Sequence, residues 1–150
     1  MRELRDTMVA LVNADVCTFL FGGIGDFDQI AWEVATQLKK ECPSIKRVYV
    51  RSEYPVIDDD YKQYLLTFYD ETYFPQKIAN AGRYAYVEKN YLMIDSCDCC
   101  VFYYNDQYVP AQKDKQSTML PTKIKASGTK LAYEYAVRRK KKVINLYKTL

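Results

Sequence analysis

The chain has 150 residues, of which 49% are hydrophobic, so it matches one ordinary domain with enough apolar side chains to build a core. Its net charge of +3 comes from 22 basic and 19 acidic residues spread along the sequence, which argues against an extended nucleic-acid surface. No apolar run reaches the roughly 18 residues that span a bilayer, and residues 1–6 are too polar for a signal peptide. We therefore expect a single cytoplasmic domain with neither membrane nor nucleic acid as a partner.

Hydrophobic periodicity predicts helices that alternate with strands. The predicted elements are, in chain order, a helix over residues 2–13, a strand over 16–21, a helix over 27–41, a strand over 45–50, a short helix over 61–66, a strand over 69–74, a helix over 87–95, a strand over 99–104, a helix over 129–140 and a strand over 143–146. Residues 79–84 are expected to form a loop. The first strand is apolar almost throughout, which is typical of a central strand buried on both faces.

Each predicted helix presents one apolar face to the expected core. The core-facing residues are Leu4, Met8, Leu11 and Val12 in the first helix, Ile30, Val34, Ala35 and Leu38 in the second, Val87, Leu92, Met93 and Ile94 in the fourth, and Leu131, Tyr135 and Ala136 in the last.

Residues 105–127 are polar and lysine-rich, and they are too many for an ordinary connection. We expect this segment to be either a lid or a disordered loop that is mobile without ligand.

Strands that alternate with helices predict an α/β fold of three αβα layers with a mainly parallel five-stranded sheet. Right-handed crossovers favour the strand order 3-2-1-4-5. In that order the carboxyl ends of the first and fourth strands flank one crevice, where ligands of such folds bind. We expect the loop over residues 22–28 and the turn at Ser127, Gly128 and Thr129 to converge there.

A glycine loop joins the first predicted strand to the second predicted helix. Gly22, Gly23 and Gly25 permit positive φ and leave space beside the chain, while the N–H groups of the new helix point into that space. This arrangement predicts a nucleotide or phosphate pocket. The dinucleotide fingerprint is incomplete, because Asp28 stands where the third glycine belongs, and no P-loop lysine follows.

An ordinary strand-to-helix turn explains the same glycines equally well. In that interpretation Asp26 is the N-cap and Gln29, three residues later, completes a pair similar to a capping box. The glycine spacing alone does not choose between a ligand loop and a structural turn.

Two clusters of potential metal ligands favour structural explanations. Cys97, Cys99 and Cys100 lie in or beside apolar, strand-like sequence, as does Cys17, and we expect reduced and buried thiols rather than a metal site. The aspartates at residues 58–60 are expected to form a solvated helix start, since consecutive residues rarely converge on one ion. We therefore expect neither a metal nor a cofactor. The basic run over residues 138–142 complements the end of the last helix.

Several motifs occur together in a characteristic order. A Phe-x-Gly-Gly loop enters Phe27-Asp28, then Lys89-Asn90-x-x-Met93 lies in a helix before a buried strand, and Ser127-Gly128-Thr129 opens a helix that ends in a basic turn and Val-Ile-Asn-Leu. Over residues 15–147 this pattern resembles the SLOG superfamily of Rossmann-like proteins, in particular its small bacterial members. Relatives include phosphoribohydrolases of the Lonely Guy type and the DNA-processing protein DprA. The resemblance implies a Rossmann-like fold and a pocket for a nucleotide or a nucleotide-derived ligand.

The motif residues define the expected ligand site. The residues expected to contact the ligand are Gly22, Gly23, Gly25, Asp26, Phe27, Asp28, Lys89, Asn90, Met93, Ser127, Gly128, Thr129 and Lys130. A phosphate should bind at the last four of these, where no acid occupies the first helical turn, and a ribose should lie toward Asp28.

The resemblance is incomplete at the positions that the enzymatic relatives use for catalysis. Lys89 stands where those enzymes have arginine, so one charge remains without the planar fork that grips phosphate. Ala132 stands where they have glutamate, and Glu134 is rotated by about 200° around the helix. The resemblance therefore favours binding over hydrolysis.

Three functions compete on this evidence. The first is a sensor or binding module that holds a nucleotide without consuming it. The second is an N-glycosidase acting on nucleoside monophosphates, which needs a carboxylate near the developing oxocarbenium charge. The third is single-stranded DNA binding, for which the 15 tyrosines are suitable but no concentrated basic face exists. The sequence leaves open whether a second copy of the chain is a partner, as in a homo-oligomer.

Overall fold

Helices and strands alternate along the chain, which confirms the predicted α/β class. The computed structural model describes residues 1–23, 25–107 and 128–148. Within them the elements are α1 (Arg2–Asn13), β1 (Thr18–Phe21), α2 (Asp26–Glu41), β2 (Lys46–Val50), α3 (Asp59–Leu66), β3 (Glu71–Tyr73), α4 (Ala85–Ser96), β4 (Cys99–Phe102), α5 (Gly128–Arg138) and β5 (Lys142–Asn145). None of these helices is long and apolar enough to cross a membrane.

The chain forms two compact units, Met1–Met93 and Ile94–Leu150. The first unit contains a parallel sheet of order β1-β2-β3, in which Phe21 is paired with Tyr49 and Val50 with Tyr73. The second unit contains a parallel pair, β4 and β5, in which Cys100 is opposite Val143. The parallel pairing is as predicted, whereas one sheet of order 3-2-1-4-5 stays a prediction.

The core of the first unit lies between the helices and the three-stranded sheet. α1 packs on α2, α2 packs on β1 and β2, and α3 packs on β3. The buried apolar residues are Leu4, Met8, Leu11, Phe21, Val34, Ala35, Leu38, Ile45, Val48, Tyr49, Val50, Leu65, Phe74 and Ile78. Most of the residues predicted to face the core on α1 and α2 are buried, because apolar side chains at helical spacing share one face.

The second unit has a smaller core, made by α5, the end of α4 and the β4–β5 pair. Its buried residues are Ile94, Cys100, Ala132 and Ala136, with Cys97, Phe102, Tyr135 and Val143 packed around them. Asp95 ties two elements together at the rim, since its carboxylate accepts a hydrogen bond from the Tyr135 hydroxyl at 2.8 Å and one from Arg139 Nε at 3.0 Å.

The entry into α2 differs from the prediction. Its N-cap is Gly25, with φ 99° and ψ 162°, and no side chain caps the helix. The helix thus begins at Asp26, whose carboxylate favours the first turn through the helix dipole rather than through a cap. Gln29 does not reach back to the helix start, because its amide donates to Glu33 at 3.1 Å. The predicted capping pair was wrong.

β1 is less buried than its apolar sequence predicts. It begins at Thr18 rather than at residue 16, Thr18 is exposed, and only Phe21 is fully buried. The expectation of a strand buried on both faces along its length was wrong. A central position for β1 stays a prediction, as part of the five-stranded order.

Other boundaries shift by a few residues. α3 begins two residues early because the Asp58 carboxylate caps it, accepting from Tyr61 N at 2.7 Å, which confirms the predicted helix start. Gly82–Tyr84 forms a 3₁₀ helix inside the predicted loop. The predicted loop over residues 105–127 lies outside the described residues from residue 108 onward.

The thiols are less buried than predicted. All five cysteines are free, as expected, but only Cys100 is buried, whereas Cys17 is exposed and Cys97 and Cys99 are half-buried. Within β4, alternation points the side chains of Cys99 and Cys100 to opposite faces, so an apolar neighbourhood in sequence does not ensure burial of both thiols.

Candidate functional site

A buried lysine lies at the carboxyl end of the three-stranded sheet. Lys89, on α4, is 0% exposed. Its Nζ donates a hydrogen bond to the Gly22 carbonyl at 3.2 Å and lies 4.2 Å from the centroid of the Tyr86 ring. Tyr86 and Lys89 are three residues apart on α4, so their side chains meet on one face of the helix. The ammonium is held by one carbonyl and one aromatic face.

Two carboxylates act on this ammonium electrostatically. Burial lowers the pKa of Lys89 below its ordinary value, while the charges of Glu53 and Asp28 partly offset that effect. Asp28 is in the first turn of α2, and Glu53 follows β2 by three residues. We refer to Gly22, Asp28, Glu53, Tyr86 and Lys89 together as the Lys89 site.

Gly22 is required because the lysine lies against it. A Cβ atom on Gly22 would be 3.0 Å from Lys89 Nζ and 3.5 Å from Asp28 Oδ2. The first distance is shorter than an ordinary van der Waals contact. The absence of a side chain at residue 22 thus lets the ammonium and the Asp28 carboxylate approach the end of β1.

Gly23 is required because an aromatic ring fills the space beside it. Its φ is +78°, and a Cβ atom there would overlap Tyr49 Cε2. The Tyr49 ring stacks on Tyr69 with centroids 5.1 Å apart. Gly22 and Gly23 therefore both pack against side chains from other parts of the first unit. A Cβ on Gly25, in contrast, would meet no atom within 4 Å.

Three tyrosines give this edge of the sheet a weakly polar lining. Burial is the main cause that raises the pKa of Tyr49, Tyr69 and Tyr86, and neighbouring carboxylates raise each further. The Tyr49 hydroxyl donates to Glu53 Oε2 at 3.5 Å. These phenols stay protonated well above neutral pH, so they offer hydrogen-bond donors next to the carboxylates.

The predicted site residues of the first unit are only partly brought together. Gly22, Asp28 and Lys89 meet in the Lys89 site, and Asn90 hydrogen-bonds the Tyr86 side chain beside it. Gly23 lies next to them on Tyr49. The remaining predicted residues of this unit are Gly25 and Asp26, which are exposed, and Phe27 and Met93, which are half-buried.

The predicted phosphate-binding residues lie in the second unit. Gly128, Thr129 and Lys130 are the first three residues of α5, and Ser127 is outside the described residues. Lys130 and Glu134 form an ion pair at 4.0 Å along the exposed side of the helix. Ala132 is buried whereas Glu134 is exposed, so the two positions lie on different faces, as the helical rotation predicts.

Three members of this neighbourhood are missing from the sequence prediction: Glu53, Tyr49 and Tyr86. Glu53 belongs to no motif, but it follows a predicted strand, and side chains at the carboxyl ends of parallel strands gather at one edge. That rule alone would have added Glu53. Nothing in the local sequence indicates that Tyr49 and Tyr86 face the glycine loop.

Arg51, the second buried cation in the described part of the chain, has a structural role. Its side chain donates to Thr72 Oγ1 at 3.0 Å and to the Tyr54 carbonyl at 3.3 Å, which binds the end of β2 to β3 and the following loop. Among the described residues, no group of three or more potential ligands could hold a metal ion.

A concavity of about 560 Å³ lies elsewhere in the first unit. It is lined by Met1, Arg2, Arg5, Trp32, Glu33, Val34, Thr36 and Gln37 of α1 and α2. No residue of the Lys89 site lines it. The two features are therefore separate.

No protein-family model matches the chain, and no curated protein matches it significantly. Function must be argued from the geometry of the site.

Proposed function

We propose that this protein binds a nucleotide or a nucleotide-derived ligand at the Lys89 site, as a sensor or binding module that does not consume it. One observation carries the proposal: a fully buried lysine lies with Asp28 and Glu53 at the carboxyl end of β1. Burying a cation costs free energy, which a purely structural site would avoid with an apolar residue. The carboxyl ends of parallel strands are also where α/β folds bind ligands.

In this proposal the carboxylates contact the ligand and the lysine positions them. Lys89 is 0% exposed and already donates to Gly22, so it holds the glycine loop rather than the ligand. Asp28 is half-buried and Glu53 is exposed, so ligand hydroxyls can reach both side chains. Carboxylates at this place in dinucleotide folds accept hydrogen bonds from ribose hydroxyls. The ribose is therefore assigned to Asp28 and Glu53.

Further parts of the proposal rest on the sequence alone. They are membership of the SLOG superfamily, one five-stranded sheet of order 3-2-1-4-5, a phosphate on Ser127, Gly128, Thr129 and Lys130, and a cytoplasmic location. Each follows from the motif order and the composition described above.

The proposal is tested by thermal unfolding with nucleoside 5′-monophosphates of all four bases and with their 2′-deoxy counterparts. At about 100 times the dissociation constant, linkage contributes about 2.7 kcal/mol, a rise in Tm of about 5 to 10 °C. The ribose assignment requires a smaller shift with the deoxy compounds. Asp28→Asn should reduce the difference between ribo and deoxy forms.

Asp26→Asn is the matched control, because Asp26 is exposed in the same turn of α2 and is not part of the Lys89 site. It should leave both shifts unchanged. Equal shifts for ribo and deoxy forms would refute the ribose assignment, and no shift with any of these compounds would refute nucleotide binding.

A second candidate function is hydrolysis of the N-glycosidic bond of nucleoside monophosphates. One observation favours it: Glu53 adds a second carboxylate near Asp28, and a carboxylate can stabilise an oxocarbenium-like transition state. Against it, Ala132 stands where similar enzymes have glutamate. We expect no free base above a heat-killed control. Turnover that Asp28→Asn abolishes would establish the hydrolase instead.

A further inference from the structure

Cys97 and Cys100 form a pair of neighbouring thiols in the second unit. Cys97 follows the last residue of α4, and Cys100 is the second residue of β4, which gives the spacing Cys-x-x-Cys. Their Sγ atoms are 3.3 Å apart. The backbone fixes both positions, since Cys97 N donates to the Ile94 carbonyl at 3.3 Å and Cys100 is paired with Val143 on β5. Formation of a disulfide, with sulfurs about 2.05 Å apart, needs only a small side-chain movement.

We propose that Cys97 and Cys100 form a reversible dithiol–disulfide site that exchanges with low-molecular-weight disulfides such as glutathione disulfide. The two thiols differ in access, because Cys97 is half-buried at a helix end whereas Cys100 is 8% exposed within the core. An external disulfide therefore reaches Cys97 first. Cys100 resolves the mixed disulfide from inside.

The charges around the pair favour Cys97 as the attacking thiolate. A hydrogen bond from Cys100 and the charge of Lys141 lower the pKa of Cys97 to about 7, although burial and Asp98 oppose this. The same hydrogen bond, burial and the neighbouring thiols raise the pKa of Cys100. Lys141 Nζ is held nearby, since it donates to the Asp95 carbonyl at 3.2 Å. A thiol with pKa near ambient pH is the most effective attacker in exchange reactions.

The exchange has two balanced steps. The Cys97 thiolate attacks one sulfur of the external disulfide, forming a mixed disulfide and releasing one thiolate. Cys100 then loses its proton and attacks Cys97 Sγ, which forms the internal disulfide and releases the second thiolate. Two electrons pass from the cysteine pair to the external disulfide, and the two cysteine protons end on the two small thiols released.

The other cysteines are placed differently. Cys99 follows Asp98 into β4, and its side chain points to the face opposite that of Cys100. Burial raises the pKa of Cys99, so its thiol is less reactive. Cys42 is half-buried in the first unit, with Sγ 3.4 Å from Ser44 Oγ. No third ligand group accompanies the pair among the described residues, so a closed zinc site is not formed there.

The test equilibrates the full-length reduced chain in glutathione buffers of increasing oxidising strength. The protein is then quenched in acid, alkylated with N-ethylmaleimide and analysed by intact mass and peptide mapping. The reduced chain should carry five maleimides, one for each of its 5 cysteines. The oxidised chain should lose two labels together and yield a linked Cys97–Cys100 peptide that dithiothreitol reverses. Cys100→Ala should stop at a glutathione adduct on Cys97, and Cys97→Ala should form no internal disulfide.

Cys99→Ala is the matched control and should oxidise like the unmodified chain. Five labels at every buffer ratio, or earlier oxidation of Cys17, Cys42 or Cys99, would refute the proposal. A second measurement uses the unmodified chain alone: the alkylation rate of Cys97 should be half-maximal near pH 7. A midpoint near the ordinary cysteine value of about 8.5 would contradict the proposed attacking role.

Discussion

At the amino edge of the three-stranded sheet Arg47 lies among partners that match its charge, whereas at the carboxyl edge Lys89 is buried beside a carbonyl and an aromatic ring. Arg47 Nε and Nη2 donate to the two Asp70 oxygens at 3.1 and 3.3 Å, and Nη1 donates to Thr36 Oγ1 at 3.0 Å. Lys39 also pairs with Asp70, at 3.0 Å.

The two edges differ in how well the charged groups are compensated by their partners. The hydrogen bonds of the amino edge favour the ionised form of Asp70. At the carboxyl edge burial disfavours the ionised form of Lys89 more than Asp28 and Glu53 favour it. Charges that are not fully compensated concentrate at functional sites. The amino edge thus holds a network of matched charges, whereas the carboxyl edge holds the site at which we propose that a ligand binds.

The largest effect is expected from Gly23→Ala at the carboxyl edge. Its positive φ and the overlap of an added Cβ with the Tyr49 ring should together cost about 3 kcal/mol or more of unfolding free energy. Gly25→Ala is the matched control, because its φ is also positive but its Cβ would meet open space; it should cost about 1 to 2 kcal/mol. Urea unfolding measures both. Equal losses would show that Tyr49 does not fill the space beside the loop.

The next effect concerns Asp70 at the amino edge. Burial would raise its pKa, but hydrogen bonds from Arg47 and Lys39 outweigh burial and lower the pKa to about 2, from 3.8. A carboxylate whose pKa is lower in the folded chain than in the unfolded chain stabilises the fold at every pH above the unfolded-state pKa. For Asp70 this contribution to the free energy of unfolding is about 2 kcal/mol. Asp70→Asn should therefore lose about this amount at pH 6, and the gap from the unmodified chain should close as pH falls from about 4 to about 2.

Glu71→Gln is the control for Asp70. Its pair with Lys46, at 3.1 Å, is 56% exposed on both sides, so the variant should lose less than about 0.5 kcal/mol. If Glu71→Gln lost as much stability as Asp70→Asn, the amino-edge network would contribute no more than an exposed ion pair, which would contradict the prediction.

The smallest effect is expected at Lys89. Lys89→Met keeps the buried volume and removes the charge, so stability at pH 7 should change by less than about 1 kcal/mol or rise. Because the pKa of Lys89 is lowered in the folded chain, the folded state binds fewer protons than the unfolded state. The unmodified chain should therefore become more stable relative to the variant as the pH rises from 7 to 9.5. Urea unfolding across this range measures the gap. A loss above about 2 kcal/mol that does not vary with pH would make Lys89 a structural cation like Arg47.

The sequence predicts the elements well because their causes are local. Period-3.6 patterns located α1 and α2, and apolar runs located the strands, so the parallel order β1-β2-β3 followed from crossover rules. The N-cap of α2 was missed by one residue, since Gly25 adopts a conformation that the pattern does not specify.

The candidate site was predictable only in part, because its causes are contacts between distant residues. Motif order selected Gly22, Asp28 and Lys89, and these do come together. Glycine spacing cannot show whether a ligand or a side chain fills the adjacent space, and at Gly23 the Tyr49 ring does so. The full burial of Lys89 also depends on elements far apart in sequence.

Trp32 on α2 gives the first unit its own optical reporter. It is the single tryptophan of the chain, its indole N–H donates to the Phe68 carbonyl at 2.9 Å, and the Arg47 guanidinium lies 5.8 Å from its ring centroid. Fluorescence excited at wavelengths that only tryptophan absorbs therefore reports on the first unit and its amino-edge network. The tyrosines of both units dominate near-ultraviolet absorbance. Melting curves recorded in the two optical channels would coincide if the units unfold in one cooperative transition, and would separate if each unit unfolds at its own temperature.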